Sequence, residues 1–178
     1  MAGNLGEEWN AENLTHVGDE WSDRASLQQV IEEFITPWIS ASSVVAEIGV
    51  GGGRVAVNIL SMCSELHCFD ISSEMLKRAR QAIAAVKLDS EVLVQYHELS
   101  TSILPADFSD KLDFVYSFDC LPHCDLHTIH AYLKEFMRVL KPGGNAMIHT
   151  SNITSPGGFS RFSRQKEASV QGFCWVSP

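Results

Sequence analysis

Apolar positions along the chain form helical stripes and short compact runs in alternation. Over residues 26–39 they fall at Leu27, Val30, Ile31, Phe34, Ile35 and Trp38, the three-four spacing of one helix face, with Pro37 near its end. Val44 to Ile48 is a short apolar strand that runs into glycines, and residues 54–62 read as a second helix. Residues 66–71 read as a buried strand, after which Ser72 can cap a helix with Met75, Leu76, Ala79 and Ile83 on one face. Val92, Val94 and Tyr96 alternate with polar residues as a third strand, and residues 112–118 are apolar almost throughout, as a central strand covered on both faces should be. Asp125 can cap a helix whose predicted apolar face is Leu126, Ile129, Leu133, Phe136, Met137 and Leu140. It should stop at LKPGG, where Pro142 cannot continue a helix and Gly143 or Gly144 can turn left-handed, and residues 146–149 form a fifth strand.

Strands and helices in alternation, joined by short connections, predict an α/β fold: a Rossmann-like, doubly wound, mostly parallel sheet flanked by helices. Residues 1–25 are polar, carry Trp9 and Trp21, and read as an N-terminal arm or lid; residues 26–178 form the domain. After residue 150 the chain is polar until GFCWVSP, which reads as the opening of another strand. A strand there with nothing after it leaves the sheet edge unfinished. The sequence therefore reads as a truncated or spliced version of a longer domain, lacking the final C-terminal strands, with an exposed edge through which it could form a homo-oligomer.

Composition narrows the partners. The 178 residues are 45% hydrophobic and 20% charged, as in an ordinary globular domain, and the formal net charge is −9. A surface that neutralises many phosphates needs clustered Lys and Arg, so nucleic acid is not expected as a partner. No basic, apolar leader opens the sequence and no apolar run approaches the ~20 residues that span a bilayer, so no membrane partner and a cytoplasmic location are expected. The five cysteines have no paired spacing and read as reduced thiols, with Cys63 and Cys68 in the core.

The candidate chemistry begins at EIGVGGGR, where a strand meets glycines and then a helix. Glycines let the backbone turn sharply and let a ligand approach it, and the helix start offers free N–H groups. Asp70 ends the second strand about 20 residues beyond Gly49, the offset at which an acid meets ribose hydroxyls. A nicotinamide-dependent oxidoreductase shares these features, but its fingerprint wants a third glycine where this chain has Arg54. The ordered motifs EIGVGGG, FDISSEML, LDFVYSFD and LKPGG resemble those of class I methyltransferases that use S-adenosylmethionine.

Carried over by residue, the resemblance implies that Gly49 and Gly51, with Val50 between them, lie at the methionine end of the cofactor and that Asp70 holds the ribose. Ile71 and Met75 would flank the adenine, Glu98 and Leu99 would sit near its amine, and Phe118 would pass the methionine moiety. Glu47 has two open readings, a cofactor contact or a carboxylate that orients loop amides. Asp119 and His123, after the fourth strand, are the candidate catalytic bases beside the acceptor. The dense set Cys120, His123, Cys124, His127 and His130 lacks the two separated ligand pairs of a zinc site, so no metal is expected. The implied activity is methyl transfer to an O, N or S atom of a small molecule, with S-adenosylhomocysteine as product. The alternative is a non-catalytic cofactor-binding or interaction domain that keeps the fold.

Overall fold

The computed structural model describes Asp19, residues 22–165 and residues 174–177. Five parallel strands lie in the order β3-β2-β1-β4-β5: β1 (Val44–Ile48), β2 (Glu65–Asp70), β3 (Leu93–Glu98), β4 (Leu112–Ser117) and β5 (Leu140–Ile148). The chain builds outward from β1 to β3 and then crosses back to β4, so the winding direction reverses between β1 and β4. That reversal leaves a crevice at the carboxyl ends of the strands, where open α/β sheets bind ligands.

Alternation along the central strands supplies two cores. Val45, Leu66, Cys68, Phe114 and Tyr116 face α1 (Arg24–Phe34), α2 (Ala56–Ile59) and α3 (Ser73–Ala84). Ala46, Ile48, Phe69, Leu112 and Val115 face α4 (Leu126–Val139) and a 3-10 turn at Ala106–Phe108. β1, β2 and β4 are buried almost throughout, although Glu47, His67 and Asp113 interrupt their apolar sequence, whereas β3 at the edge alternates in exposure.

Several predicted elements change at their ends. Helix α1 starts at Arg24, because Asp23 Oδ1 accepts the Ser26 N–H at 2.8 Å, and stops at Phe34. Pro37 has no N–H to donate one turn back and disfavours helical backbone at Thr36, so Thr36–Trp38 tightens into a 3-10 turn and Trp38 is 52% exposed. The helix expected over residues 54–62 is only α2 plus a 3-10 turn, Leu60–Met62. In α4 the buried residues are Ile129, Tyr132, Phe136 and Val139, while Leu126, Leu133 and Met137 are exposed, a face rotated from the predicted one. LKPGG does end the helix, and Gly143 is left-handed at φ 84°, but Leu140 already pairs with Leu112 and the extra residues bulge before Asn145 pairs with Phe114.

The tail departs most. Helix α5 (Pro156–Arg164) was not predicted; Ser155 caps it, accepting the Gly158 N–H at 3.0 Å, and Pro156 stands in the first turn. Residues 174–177 form no strand and are held by main-chain bonds, Cys174 N–H to the Pro122 carbonyl (2.7 Å) and Ile153 N–H to the Val176 carbonyl (2.9 Å). No helix among the described residues is long and apolar enough to cross a membrane.

Candidate functional site

The glycine loop is built from three left-handed residues, Gly49 (φ 77°), Gly51 (φ 51°) and Gly53 (φ 85°). The Gly49 and Val50 amides donate to the Phe69 carbonyl at 2.8 and 3.1 Å, tying the loop to the end of β2. Gly49 also has no room for a side chain, since a Cβ there would collide with Cys120, and one on Gly53 would crowd the Ala79 backbone of α3. Gly51 differs, because a Cβ there would meet nothing. The loop's middle residue faces open space.

Asp70 is the hinge of the site. Its Oδ2 accepts the Gly51 N–H at 2.9 Å and its Oδ1 accepts the Ser72 N–H at 2.9 Å, while Ser72 caps α3 through the Met75 N–H at 3.3 Å. Burial raises the Asp70 carboxyl above the usual range, and the amides of Ser72 and Gly51 oppose that rise. The two oxygens have about four acceptor sites between them, so these amides leave room for a further donor.

Beneath the loop, Glu47 is 2% exposed and its Oε2 accepts the Tyr116 O–H at 2.7 Å. Burial pushes it up to about 8, with Tyr116 opposing, Asp70 reinforcing and the Ala56 amide opposing. Its partners are thus the Tyr116 hydroxyl on β4 and the Ala56 amide at the start of α2.

Beyond β4, Asp119 adopts a left-handed backbone, φ 58°. Its Oδ2 lies 3.6 Å from Arg54 Nη1 and its Oδ1 3.3 Å from His149 Nδ1, while its own N–H donates to that same Nδ1 at 3.2 Å. Donation from the amide requires Nδ1 to be unprotonated; a proton on Nδ1 would exchange that bond for one to the carboxylate. Phe118 stacks obliquely on His149, ring centroids 4.8 Å apart.

Arg54, the residue at the third fingerprint position, is 6% exposed. Its Nε binds Asp19 Oδ1 at 2.9 Å and its Nη2 the Ser22 carbonyl and hydroxyl, each at 2.7 Å. A single guanidinium thus joins the chain before α1, the glycine loop and Asp119. The expected lid tryptophans, Trp9 and Trp21, lie outside the described residues.

The sequence-nominated residues therefore gather on the carboxyl edge of the sheet: Glu47 to Gly51 from β1, Asp70 to Met75 from β2, Glu98 and Leu99 from β3, Phe118 and Asp119 from β4. Val50 is buried, so only its backbone borders the crevice; Leu99 is buried with its N–H on the Asp70 carbonyl (2.8 Å), and Glu98 is exposed. Ile71 is 65% exposed beside Asp70, and Met75 is buried one helical turn on. His123 is exposed at the end of the 3-10 turn Leu121–His123, and the imidazole that meets Asp119 belongs instead to His149. Sequence reasoning missed Arg54, Cys120 and His149 as site members. A bulky cation in place of the expected glycine was the one visible signal among them.

The family model described as "Methyltransferase domain" matches residues 45–144, spanning β1 to the bulge of β5. The chain belongs to this methyltransferase domain family. It is 30% identical over 120 residues to the ubiquinone biosynthesis O-methyltransferase of Xanthomonas oryzae pv. oryzae, covering 67% of this chain and 47% of that protein. The enzyme of the same name from Xanthomonas axonopodis pv. citri is 29% identical over 136 residues, covering 76% and 54%. The chain thus spans about half the length of these curated relatives. Among solved structures, a SAM-dependent methyltransferase from Thermotoga maritima aligns with a TM-score of 0.66 at 21% identity, covering 98% of this chain and 72% of that one. Phosphoethanolamine N-methyltransferase 1 of Haemonchus contortus, solved with phosphoethanolamine and S-adenosylhomocysteine, aligns with a TM-score of 0.66 at 14% identity, covering 89% and 31%. These similarities establish the methyltransferase-type α/β fold.

Proposed function

We propose that this domain binds S-adenosylmethionine along the carboxyl edge of β1 and β2 and directs its methyl group to an oxygen of a small-molecule acceptor. The observation that carries the reading is Asp70, fixed by the Gly51 and Ser72 amides with room left to accept a hydroxyl proton. The crevice chemistry fits the group: an acid suited to a ribose diol, an exposed Ile71 and adjacent Met75 suited to a purine, and left-handed glycine backbone at the methionine end. Glu98 and Leu99 border the adenine edge, Gly49, Val50 and Gly51 the methionine, and Phe118 the sulfur. The oxygen acceptor is supported by the names of the Xanthomonas relatives, and its small size by the chain's acidic balance.

S-adenosylmethionine supplies a methyl carbon on a positively charged sulfur; an acceptor lone pair bonds that carbon as the sulfur–carbon electrons return to sulfur, giving S-adenosylhomocysteine. The chain's task is alignment and exclusion of water. Asp119 is placed to take the acceptor's proton, with Arg54 and His149 fixing its carboxylate. His123, exposed on the following turn, borders the acceptor side.

Release of S-adenosylhomocysteine with a catechol as probe acceptor tests this reading. Acceptor-dependent release is expected, and Asp119→Asn should lower kcat by about 10²-fold or more. Saturable S-adenosylmethionine binding without release over a panel of O-, N- and S-acceptors would favour the non-catalytic reading instead.

A further inference from the structure

Two thiols lie on the turn that follows β4, and the methyl-transfer reading uses neither as a reactive group. The Cys120 side chain rests directly on Gly49, filling the space that a Cβ on that glycine would occupy. One 3-10 turn later comes Cys124: the His123 N–H donates to the Cys120 carbonyl at 3.1 Å and the Cys124 N–H to the Leu121 carbonyl at 3.0 Å. This winding folds Cys124 Sγ back to 3.8 Å from the Cys120 carbonyl, to which it donates, and sets its thiol beside that of Cys120. Both residues are half-buried, Cys124 the less enclosed of the two.

The pair is chemically unequal. The neighbouring Cys120 thiol holds the Cys124 thiol below its usual range, and Cys124, with burial, holds Cys120 above it. Cys63 and Cys68 are buried and inert by comparison, Cys63 being pushed up to about 11 by burial.

We propose that Cys120 and Cys124 form a peroxide-sensitive dithiol whose disulfide weakens cofactor binding at the glycine loop. The inference rests on the loop being the S-adenosylmethionine site. The Cys124 thiolate attacks one oxygen of hydrogen peroxide, the O–O bond breaks, and hydroxide leaves to become water, giving a sulfenic acid. Cys120 sulfur then attacks the Cys124 sulfur, the S–O bond breaks, and a second water leaves with the Cys120 proton. Two thiols lose two electrons and one peroxide gains them.

A disulfide holds its sulfurs at about 2.05 Å, closer than any non-bonded pair of thiols. Closure therefore has to move the side chains of this turn, and Cys120 is the one seated on Gly49. The movement is passed to Asp119, the preceding residue, whose left-handed backbone and pairing with Arg54 and His149 hold the crevice wall. Gly49, left without its packing partner, is then held by its amide bond to the Phe69 carbonyl alone.

The experiment oxidises the full chain with hydrogen peroxide, maps the cysteines by mass spectrometry, and measures S-adenosylhomocysteine binding by calorimetry before and after. Expected are a loss of two hydrogens, a Cys120–Cys124 linked peptide, affinity at least tenfold weaker, and recovery with dithiothreitol. Cys124→Ser should bind like the reduced wild type and ignore peroxide. Cys174→Ser should keep the full response, although the Cys174 amide bonds to the same turn at Pro122. A link through Cys174, no Cys120–Cys124 link, or a link with unchanged affinity overturns the proposal. A reduced chain without affinity for S-adenosylhomocysteine would contradict the proposed function, and the peptide map would still decide the dithiol separately.

Discussion

A carboxyl group buried under a ligand loop is a choice between two protonation states, and in Glu47 burial outweighs the Tyr116 and Ala56 hydrogen bonds. In the unfolded chain Glu47 ionises near 4.5, whereas in the fold it ionises near 8. Its raised value means that its contribution to stability is full below pH 4.5 and is lost as pH rises through 8, because only the unfolded state has then shed the proton cheaply. Glu47→Gln keeps an acceptor for the Tyr116 hydroxyl and removes the titration. Thermal unfolding should therefore show the wild type losing stability relative to Glu47→Gln across about pH 4.5 to 8; a difference that stays constant with pH would mean that Glu47 is ionised throughout. At this scale the glycine turn and the position of Asp70 at the end of β2 were legible from turn residues and strand ends, while Asp119 was named only through the family resemblance. Arg54, Cys120 and His149 were not legible, because their partners, Asp19, Gly49 and Asp119, are chosen by how loops from separate strands meet. One sequence carries no periodic signal for that.

Elements were predicted best where both propensity and burial agree. Ser72 with Met75, Leu76, Ala79 and Ile83 gave α3 its cap and its buried face, and Val44 to Ile48 gave β1 its bounds. Helix α4 shows how the pattern misleads: Leu126, Leu133 and Met137 make an apolar stripe as regular as the true one, and only packing against β4 and β5 selects Ile129, Tyr132, Phe136 and Val139. Phe136 is 2% exposed and Met137 83% exposed. Phe136→Ala should accordingly cost about 3–5 kcal/mol in denaturant unfolding, while Met137→Ala should stay within about 0.5 kcal/mol of wild type. Equal costs would show that the helix sits rotated toward the stripe its sequence suggests. Helix α5 went unread because two glycines masked its pattern, although Ser155 and Pro156 are a recognisable start.

Across the whole molecule, the two ends of the sheet do different work. At the amino ends of the strands, away from the glycine loop, a cavity of about 430 Å³ is lined by Glu65, His67, His97, Asp107, Lys111 and Lys141 among others. There His67 Nδ1 lies 3.1 Å from His97 Nε2 and His67 Nε2 3.0 Å from Glu65 Oε1. Burial first, then His97, lowers His67 to about 4, with Asp107 opposing and Lys111 reinforcing. The unfolded chain takes up a proton near 6.5 that the fold refuses, so this contribution is full above pH 6.5 and declines as pH falls toward 4. Relative to His67→Gln, the wild type should lose melting temperature from pH 7 to pH 5; no relative loss would place the proton on the folded imidazole. At the carboxyl ends, the reversal of winding between β1 and β4 gathers Asp70, the glycine loop and Asp119 around one crevice. The measurement closest to that claim is calorimetric titration of the reduced chain and of Asp70→Asn with S-adenosylhomocysteine. Saturable one-to-one binding by the wild type, weakened at least tenfold in Asp70→Asn, is the expected result; a folded wild type that binds nothing, or an Asp70→Asn chain that binds equally well, would contradict it.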